Sequence, residues 1–458
     1  MRSDRGERVA LGDDLLIDHP TRLPFTVPFG RGTATFTLPP GVRGTVAEPA
    51  TVAPLPDPVR AATVAVTHPV NSLPLRELTR GKRRVCIAVT DATRACPDRL
   101  LVPPMLAELA AAGVPDEAIT LLVAVGVHRP STDAEKRDKL GDDLVRRYRV
   151  VDHDAADDAN LLPVGGGDHG VPFRLNRLAV EADLLLATGL VEPHQYAGYS
   201  GGGKTVAIGC AGEAVIAYTH GPAMLDQPGT RLAQLDGNPF QAAVRDVARA
   251  TGLAFVGNAV LDGDGRLVDI AYGAPEAVHD RLAERAGRLF TVSIPGQVDI
   301  AISGVGHPKD ANLYQASRAA SYLQFAPTPV VRRGGVVILP AACPEGAGDG
   351  VGEQRFLEAM AMPGGPAAVI ARARRDGIRP GEQRAYVMAR VLDDVSVIVA
   401  GTEHPDVVRA VGFVPATDLD QALAMAIARV GTPATALVVP HALLTLPIVT
   451  PPPGASPD

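Results

Sequence analysis

The sequence predicts an α/β protein of two domains, each built on a mainly parallel sheet flanked by helices. Two observations support this class. Apolar runs of strand length alternate with amphipathic helical stretches along most of the 458 residues. The alternation also pauses near residues 291–297 and then begins again. A chain of this length suits two domains of ordinary size.

The stretch up to about Arg80 contains β-type runs, ATFTLP and ATVAVTHP, among many prolines, and we expect it to be rich in strands. The βα alternation that follows predicts strands at 83–90, 118–125, 182–189 and 253–261. Helices are predicted at 100–113, 132–148, 238–252 and 274–290, the third of them with a capping residue at its start.

The segment TVSIPGQ, residues 291–297, is the best candidate for a linker between domains. Beyond it we predict the strands QVDIAISG, GGVVILP, DVSVIVAG and TALVVP, which alternate with the helices LYQASRAASYLQFA, FLEAMAM and DLDQALAMAIARVG. The predicted organisation is an N-terminal domain over 1–292, a C-terminal domain over 293–450 and a disordered tail over 451–458.

Composition excludes several classes of protein. A net charge of −7 without a clustered Lys/Arg stripe argues against a nucleic-acid-binding surface. The cysteines, at positions 86, 96, 210 and 343, have no paired spacing, which disfavours a zinc ribbon and suggests a reducing compartment. We find neither the apolar core of a signal peptide nor an apolar run of membrane-spanning length, and we expect a cytoplasmic protein that does not bind membranes.

The stretch Gly198–Thr205, GYSGGGKT, matches the P-loop pattern G-x-x-x-x-G-K-[ST]. A P-loop needs a strand that ends at its first glycine and a helix that opens at its lysine. Here the predicted strand ends at residue 189, and Gly209 and Gly212 would weaken a following helix. The pattern therefore favours a glycine-rich turn that presents Lys204, with a P-loop NTPase as the alternative.

Polar side chains follow the ends of three predicted strands. The loops are 90–98, with Asp91, Thr93 and Arg94; 126–130, with His128; and 190–204, with His194 and Lys204. Each residue taken alone could be a turn, cap or surface residue. Because open α/β sheets bind ligands beyond the carboxyl ends of their strands, the three loops together predict one crevice.

Several motifs in order also link the sequence to a known family. They are HPV…P (68–74), TDATRACP (90–97), GVHRP (126–130), EPHQYAGYSGGGKT (192–205), AYTHGP (217–222), GNPF (237–240) and HPKDANLYQASRA (307–319). In these motifs the chain resembles the lactate racemase family, whose members use a nickel-pincer nucleotide.

The resemblance implies an isomerase that inverts C2 of a 2-hydroxy acid by reversible hydride transfer to that cofactor. It implies that Lys204 holds the cofactor covalently, that His220 is the protein ligand of nickel, and that His128 and His194 are acid/base residues. The cofactor-binding set would be Lys204, Asp91, Thr93, Arg94, Gly201 and Gly202, and the substrate-binding set Arg94, Tyr314, Gln315 and Arg318. The active site would lie in the cleft between the domains.

Two departures from the family bear on the substrate. Arg318 stands where a lysine is common, and the chain has no tryptophan. Lactate, malate and sugar acids therefore remain open as substrates, and so do the roles of Arg318, His307 and Cys343. The resemblance further implies cofactor-synthesis enzymes as partners and allows a homo-oligomer. A nickel-cofactor binding protein without catalysis is the remaining alternative.

Overall fold

The computed structural model describes residues 16–19, 24–165 and 173–450, so the predicted tail lies outside the described residues. The chain divides into two compact units. The first unit comprises Thr51–Leu289 with Ala371–Gln383. The second unit combines the described residues up to Ala50 with Phe290–Ile370 and the chain from Arg384 onwards.

The first unit contains a six-stranded sheet. Its strands, in spatial order, are Leu267–Gly273, Leu253–Leu261, Leu184–Leu190, Val85–Thr90, Ile119–Ala124 and Arg149–Asp152. All neighbours pair in parallel except the first two, which are antiparallel. Every residue of Val85–Thr90 and Leu184–Leu190 is buried, as expected for central parallel strands covered on both faces. The α/β class and the predicted strands of this unit are confirmed.

The helices of the first unit are Pro58–Thr67, Leu75–Leu78, Asp98–Ala111, Asp133–Leu140, Asp142–Arg147, Arg177–Val180, Lys204–Ala207, Glu213–Thr219, Pro222–Leu225, Pro239–Ala250 and Pro275–Phe290. Two short hairpins, Leu161–Pro163 with Arg174–Asn176 and Pro193–His194 with Gly198–Tyr199, complete the unit.

Two predictions for this unit were wrong in detail. The stretch predicted as one helix over 132–148 is two helices, because Gly141 adopts φ 91° and interrupts the first. The run ATVAVTHP is part of the helix Pro58–Thr67 and not a strand. There the Asp57 side chain accepts a hydrogen bond from the backbone N–H of Arg60, and a proline opens the helix, so the local start signals outweigh the β-branched composition.

The second unit contains a seven-stranded sheet. Its strands, in spatial order, are Leu16–His19, Val42–Ala47, Ala434–Val439, Val298–Ser303, Val331–Pro340, Ser396–Ala400 and Val414–Ala416. Only the Leu16–His19 pairing is antiparallel among these described strands. The hairpin Phe25–Phe29 with Gly32–Phe36 also belongs to this unit, which confirms the predicted strand at ATFTLP.

The predicted boundary of the first domain therefore needs a correction at its start. We predicted a domain over 1–292, but Val42–Ala47 pairs in parallel with Ala434–Val439 of the second unit. Val42 and Ala47 are fully buried there. Apolar strand residues gain most by entering the sheet that can cover them, whatever their distance along the chain.

The predicted linker is also part of the second unit. Thr291–Ile294 is a strand that pairs in parallel with Leu446–Val449, and Val292 and Ile294 are buried. The change of unit falls just before it, at Phe290. The remaining helices are Leu313–Ala316, Arg318–Gln324, Val351–Met360, Gly365–Asp376, Gln383–Asp394, Pro405–Ala410 and Leu419–Val430.

Candidate active site

Asp91 and His128 meet at the carboxyl ends of two neighbouring strands. Val85–Thr90 and Ile119–Ala124 pair in parallel, with Thr90 opposite Ala124, so the loops that follow them lie side by side. His128 Nδ1 lies 3.0 Å from Asp91 Oδ2. The backbone N–H of Thr93 donates to Asp91 Oδ1 at 2.6 Å. The structure thus brings together two of the three predicted loops through a buried carboxylate.

The charge on Asp91 decides the state of the His128 ring. Burial raises the pKa of Asp91, but hydrogen bonds from His128 and Thr93 and the charges of His128 and Arg94 outweigh it and lower this pKa to about 2. An ionised carboxylate can only accept hydrogen bonds. His128 Nδ1 must therefore carry the hydrogen, which leaves Nε2 as the basic nitrogen.

The two arginines of these loops differ in their partners. Arg94 lies at the edge of the Asp91 site, with Nε 4.0 Å from Asp91 Oδ2 and about half of its side chain exposed (52%). Arg129 instead makes two hydrogen bonds to Glu135, of 2.9 and 2.6 Å. Arg94 can therefore offer its planar donors to a carboxylate ligand, whereas Arg129 is already engaged in a surface ion pair.

The stretch GYSGGGKT does not have the geometry of a P-loop. The strand Leu184–Leu190 is followed by a hairpin in which His194 pairs with Gly198, so the first glycine of the motif lies within a strand. Lys204 opens a helix of only four residues. A helix this short has no N-terminal anion site to offer a triphosphate. This arrangement removes the structural basis of the P-loop alternative.

The glycines of this turn are required by close packing. Gly201 and Gly202 have φ of 84° and 56°. A Cβ atom on Gly201 would lie 2.6 Å from Val191 Cγ2, and one on Gly202 would lie 2.9 Å from His279 Cβ. The backbone N–H of Gly202 also donates to Asn258 Oδ1 at 2.7 Å. The turn is pressed against its own unit, and the cofactor contact of these two glycines stays a prediction.

Lys204 is half-buried, and its surroundings favour the neutral amine. Burial and the positive charge of Arg94 lower the pKa of Lys204 to about 7, against the opposing effects of Glu192 and Asp91. A lysine with this pKa is a nucleophile near neutral pH. The lysine predicted to anchor the cofactor is therefore chemically suited to form a covalent bond.

His220 ends the helix Glu213–Thr219 and is held by its own helix. Nδ1 lies 3.2 Å from the carbonyl oxygen of Ile216, to which it donates. Burial and the charge of Lys204 lower the pKa of His220 to about 3, so the ring is neutral. Metal-binding histidines commonly donate one ring N–H to a backbone carbonyl while the other nitrogen binds the metal. His220 has this arrangement, with Nε2 as the nitrogen that can bind.

His194 lies in the same aromatic group as His220. The rings of His194, Tyr196, Phe240 and His220 form contacts with centroid separations between 5.2 and 6.5 Å. The backbone N–H groups of Tyr196 and Ala197 both point to His194 Nδ1, at 3.2 and 3.1 Å. Because a backbone N–H can only donate, Nδ1 is the acceptor, and in the neutral ring Nε2 carries the hydrogen.

The residues predicted to contact the substrate from the C-terminal half belong to the second unit. Tyr314 packs edge-on against Phe356 and lies beneath the Arg384 guanidinium. The backbone N–H of Gln315 is capped by Asn312, at 3.0 Å. Arg318 donates to the Tyr322 hydroxyl at 3.1 Å. Their contact with substrate stays a prediction.

The sequence analysis missed a buried residue beneath the site. Asp98 is fully buried and lies 3.1 Å from Lys139 Nζ. It accepts hydrogen bonds from Thr90, at 2.6 Å, and from Thr188. Thr90 and Thr188 lie in the central strands Val85–Thr90 and Leu184–Leu190, so Asp98 ties these two strands together.

Lys139 extends this network into the loop that carries Asp91. Its Nζ donates to the carbonyl oxygens of Arg94, at 2.6 Å, and Cys96, at 2.7 Å. On the other side, the Thr205 hydroxyl donates to the Thr188 carbonyl at 2.7 Å, next to Lys204. A charged residue in TDATRACPD and a lysine in a chain poor in lysine were the available signals. Neither signal indicated that the two residues form a pair.

Other candidates lie outside this arrangement. Cys343 is buried, and burial raises the pKa of its thiol to about 12, which disfavours a thiolate nucleophile. The backbone N–H of His307 donates to the Gly30 carbonyl at 2.9 Å, within the second unit. Across residues 16–19, 24–165 and 173–450, no helix is long and apolar enough to cross a bilayer.

Two family models match this chain, one over its N-terminal part and one over its C-terminal part. Residues 29–233 match the model of the lactate racemase N-terminal domain, and residues 294–446 match that of the lactate racemase C-terminal domain. Lactate racemase of Lactiplantibacillus plantarum is 34% identical over 83% of this chain and 88% of its own length. That of Thermoanaerobacterium thermosaccharolyticum is 32% identical over 82% of this chain and 87% of its own length.

Solved structures agree with these matches. The lactate racemase apoprotein from Thermoanaerobacterium thermosaccharolyticum superposes with a TM-score of 0.81 at 29% identity, covering 93% of this chain and all of that one. A Thermotoga maritima protein, at 20% identity, shares the fold with a TM-score of 0.60 over 82% of this chain and 96% of its own. The predicted resemblance is confirmed: the chain belongs to the lactate racemase family.

Proposed function

We propose that this chain is a 2-hydroxy-acid racemase or epimerase that carries a nickel-pincer nucleotide on Lys204. One observation supports this above the others. The Asp91 carboxylate that orients His128, at 3.0 Å from Nδ1, also acts on the charge of Lys204. The charge of Lys204 in turn lowers the pKa of His220. Family membership supports racemase chemistry, and this arrangement would supply a nucleophilic amine, a metal-binding nitrogen and a base within one unit.

The described residues fit such a cofactor. Among residues 16–19, 24–165 and 173–450, no group of three or more His, Cys, Asp or Glu side chains could hold a metal ion. His220 Nε2 would therefore be the protein's donor to the nickel, and the cofactor would supply the remaining donors. When bound, the nickel-pincer nucleotide supplies these donors and the capacity to accept and return a hydride.

The chain's own residues would bind the substrate and move its protons. Arg94 can hold the substrate carboxylate with parallel hydrogen bonds. His128 Nε2, basic because Nδ1 donates to Asp91, would take the hydroxyl proton of one enantiomer, and His194 would donate a proton to the carbonyl oxygen as the other enantiomer forms. In the reverse direction the two histidines would exchange these roles, since substrates of opposite hand present their hydroxyl groups on different sides.

The proposal is tested by the covalent state of Lys204. We expect intact-mass analysis of the protein produced together with the cofactor-synthesis enzymes to show an adduct that peptide mapping places on Lys204. The variant Lys204→Ala should lack the adduct and the bound nickel, and Lys82→Ala, which removes an exposed lysine, should retain both. An unmodified wild-type Lys204 without nickel under these conditions would contradict the proposal.

Turnover separates an enzyme from a cofactor-binding protein. The loaded protein is incubated with single enantiomers of lactate, malate and sugar acids, and the products are resolved by chiral chromatography. Inversion of at least one acid supports the proposed reaction. A loaded protein that inverts none of them favours the non-catalytic alternative.

A further inference from the structure

A cavity lies behind the glycine turn of the first unit. It has a volume of about 300 Å³ and lies between the helix Pro239–Ala250, the first turn of Pro275–Phe290 and Gly203. Cavities of this size hold small ligands. The described residues that line it do not include Asp91, His128 or Lys204. We call it the back cavity.

Buried polar atoms in the lining of the back cavity lack partners. Among the described residues, no hydrogen bond reaches either ring nitrogen of His279, Oε1 of Gln241 or Nε of Arg245. His279 is 1% exposed and Gln241 is 3% exposed. His279 Nδ1 lies 3.8 Å from Asp280 Oδ1, too far for a hydrogen bond. Because buried polar groups are nearly always hydrogen-bonded, this cluster indicates a ligand that completes it.

The two arginines at the back cavity are paired with carboxylates, but one of their N–H donors has no partner among the described residues. Arg249 makes two hydrogen bonds to Glu276, of 2.6 and 3.1 Å, and neutralises that carboxylate. Arg245 is paired with Asp280 through Nη2, and this leaves its Nε–H. The start of a sixteen-residue helix, Pro275–Phe290, adds positive potential at the same wall. Arg249 also donates to Asp246, so the charges of the wall cancel, and the unpartnered Arg245 Nε–H is the group that favours an acceptor such as a carboxylate oxygen.

The rest of the lining defines the body of that ligand. Ala248, Leu253 and Ala274 line it with apolar groups. Gln241 Oε1 requires a hydrogen-bond donor from the ligand. The volume equals about ten water-sized groups. We propose that the back cavity binds a small hydroxylated carboxylate with a short apolar chain, its carboxylate on Arg245 and His279 and its hydroxyl on Gln241.

Such a ligand would act on the turn that carries Lys204. A Cβ atom on Gly202 would lie 2.9 Å from His279 Cβ and 3.0 Å from its Cγ, so the backbone of Gly202 rests against this side chain. A ligand that fixes His279 also fixes the turn two residues before Lys204. The back cavity is therefore a regulatory site for a compound of the same chemical class as the proposed substrate.

Calorimetry with the full-length protein tests the site. The probes are 2-hydroxyhexanoate and hexanoate, which differ only in the hydroxyl group. We expect 2-hydroxyhexanoate to bind, Arg245→Gln to weaken it about 10-fold or more, and Ala248→Leu to abolish binding by filling the cavity. Hexanoate should bind several-fold more weakly than its hydroxylated analogue.

Two controls separate this site from the proposed catalytic site. Arg94→Gln alters the catalytic site and should leave the back-cavity binding unchanged, as should Arg288→Gln, which alters an exposed residue of the Pro275–Phe290 helix. Three results would overturn the inference. They are loss of binding in Arg94→Gln but not in Arg245→Gln, equal binding by wild type and Arg245→Gln, and no binding of either probe. Circular dichroism verifies that each variant is folded. If Ala248→Leu does not fold, the result for Arg245→Gln decides the outcome.

Discussion

The proposed function gives His128 and His194 the same acid/base role, yet the protein holds their rings in opposite ways. The Nδ1 of His128 faces a buried carboxylate at 3.0 Å, whereas the Nδ1 of His194 faces two backbone N–H groups at 3.2 and 3.1 Å. The first arrangement leaves Nε2 of the neutral ring as an acceptor, and the second leaves it as a donor. The protein thus holds one histidine whose Nε2 can accept a proton and one whose Nε2 carries the hydrogen.

This difference shows that two residues with the same proposed role can owe their ring orientation and tautomer to different parts of the molecule. His128 depends on the side chain of Asp91, which a single substitution removes. His194 depends on the backbone of residues 196 and 197, which is held by the hairpin Pro193–His194 with Gly198–Tyr199. The predictions below test this distinction in order of decreasing effect.

The largest effect should come from the histidines themselves. His128→Asn and His194→Asn should each lower kcat of the cofactor-loaded enzyme by about 10²- to 10⁴-fold in both directions, because each enantiomer uses both groups in one cycle. Chiral chromatography of each direction measures this, with Arg129→Gln as a control outside the site. Full activity in either histidine variant would remove that residue from the mechanism.

Asp91→Asn should convert His128 into a residue like His194. The new amide can donate to Nδ1, which reverses the tautomer and removes the basic Nε2. We expect kcat to fall on the order of 10²-fold, the low end of acid/base contributions, with a smaller change in KM. The kcat and KM of the loaded variant, compared over pH, are the measurement. An unchanged kcat would mean that the carboxylate does not set the tautomer.

Glycine substitutions should show that the hairpin at His194 tolerates change less well than the loop that leads to His128. The quantity compared is the free energy of unfolding. A Cβ atom on Gly198, φ 75°, would lie 2.2 Å from the Gln234 carbonyl oxygen, whereas one on Gly126, φ 58°, meets nothing closer than 3.8 Å. Gly198→Ala should therefore cost about 3 kcal/mol or more, since it adds overlap to backbone strain, and Gly126→Ala about 1 kcal/mol. Calorimetric unfolding of both variants measures the difference. An equal loss of unfolding free energy in the two variants would show that the hairpin at His194 can rearrange to accommodate the added Cβ atom.

The smallest effect is the acid dependence of stability. The pKa of Asp91 is lowered from 3.8 to about 2, so its ionised form stabilises the folded state above pH 3.8 and this contribution is lost as the pH falls towards 2. It amounts to at most about 2.4 kcal/mol. The stability difference between wild type and Asp91→Asn should therefore narrow between these pH values. A difference that is constant down to pH 2 would contradict the lowered pKa.

Local patterns predicted much of the first unit. The apolar runs at 83–90, 118–125, 182–189 and 253–261 are strands, and Asn238 caps the helix Pro239–Ala250 as expected. These features depend on a few neighbouring residues. The motif residues of the site could be identified because their types and spacing match a family.

Other features depend on groups distant in sequence and could not be predicted. Val42–Ala47 enters a sheet whose neighbouring strand lies near the end of the chain, at Ala434–Val439. The Asp98–Lys139 pair joins a helix start to a residue in a different helix. Only packing decides which distant group satisfies a buried charge or covers an apolar strand.

The sequence by itself determined the α/β class and the family and predicted which residues react, since period, composition and motif order are properties of the chain. The tertiary structure decided the pKa of Lys204 and which ring nitrogen of His128 and of His194 carries the hydrogen. Lys204 acquires a pKa near 7 through burial beside Arg94, and the two histidines acquire opposite tautomers from a carboxylate and from backbone N–H groups. Burial and hydrogen-bond direction exist only once the chain has folded, and these two properties set the chemistry of the site.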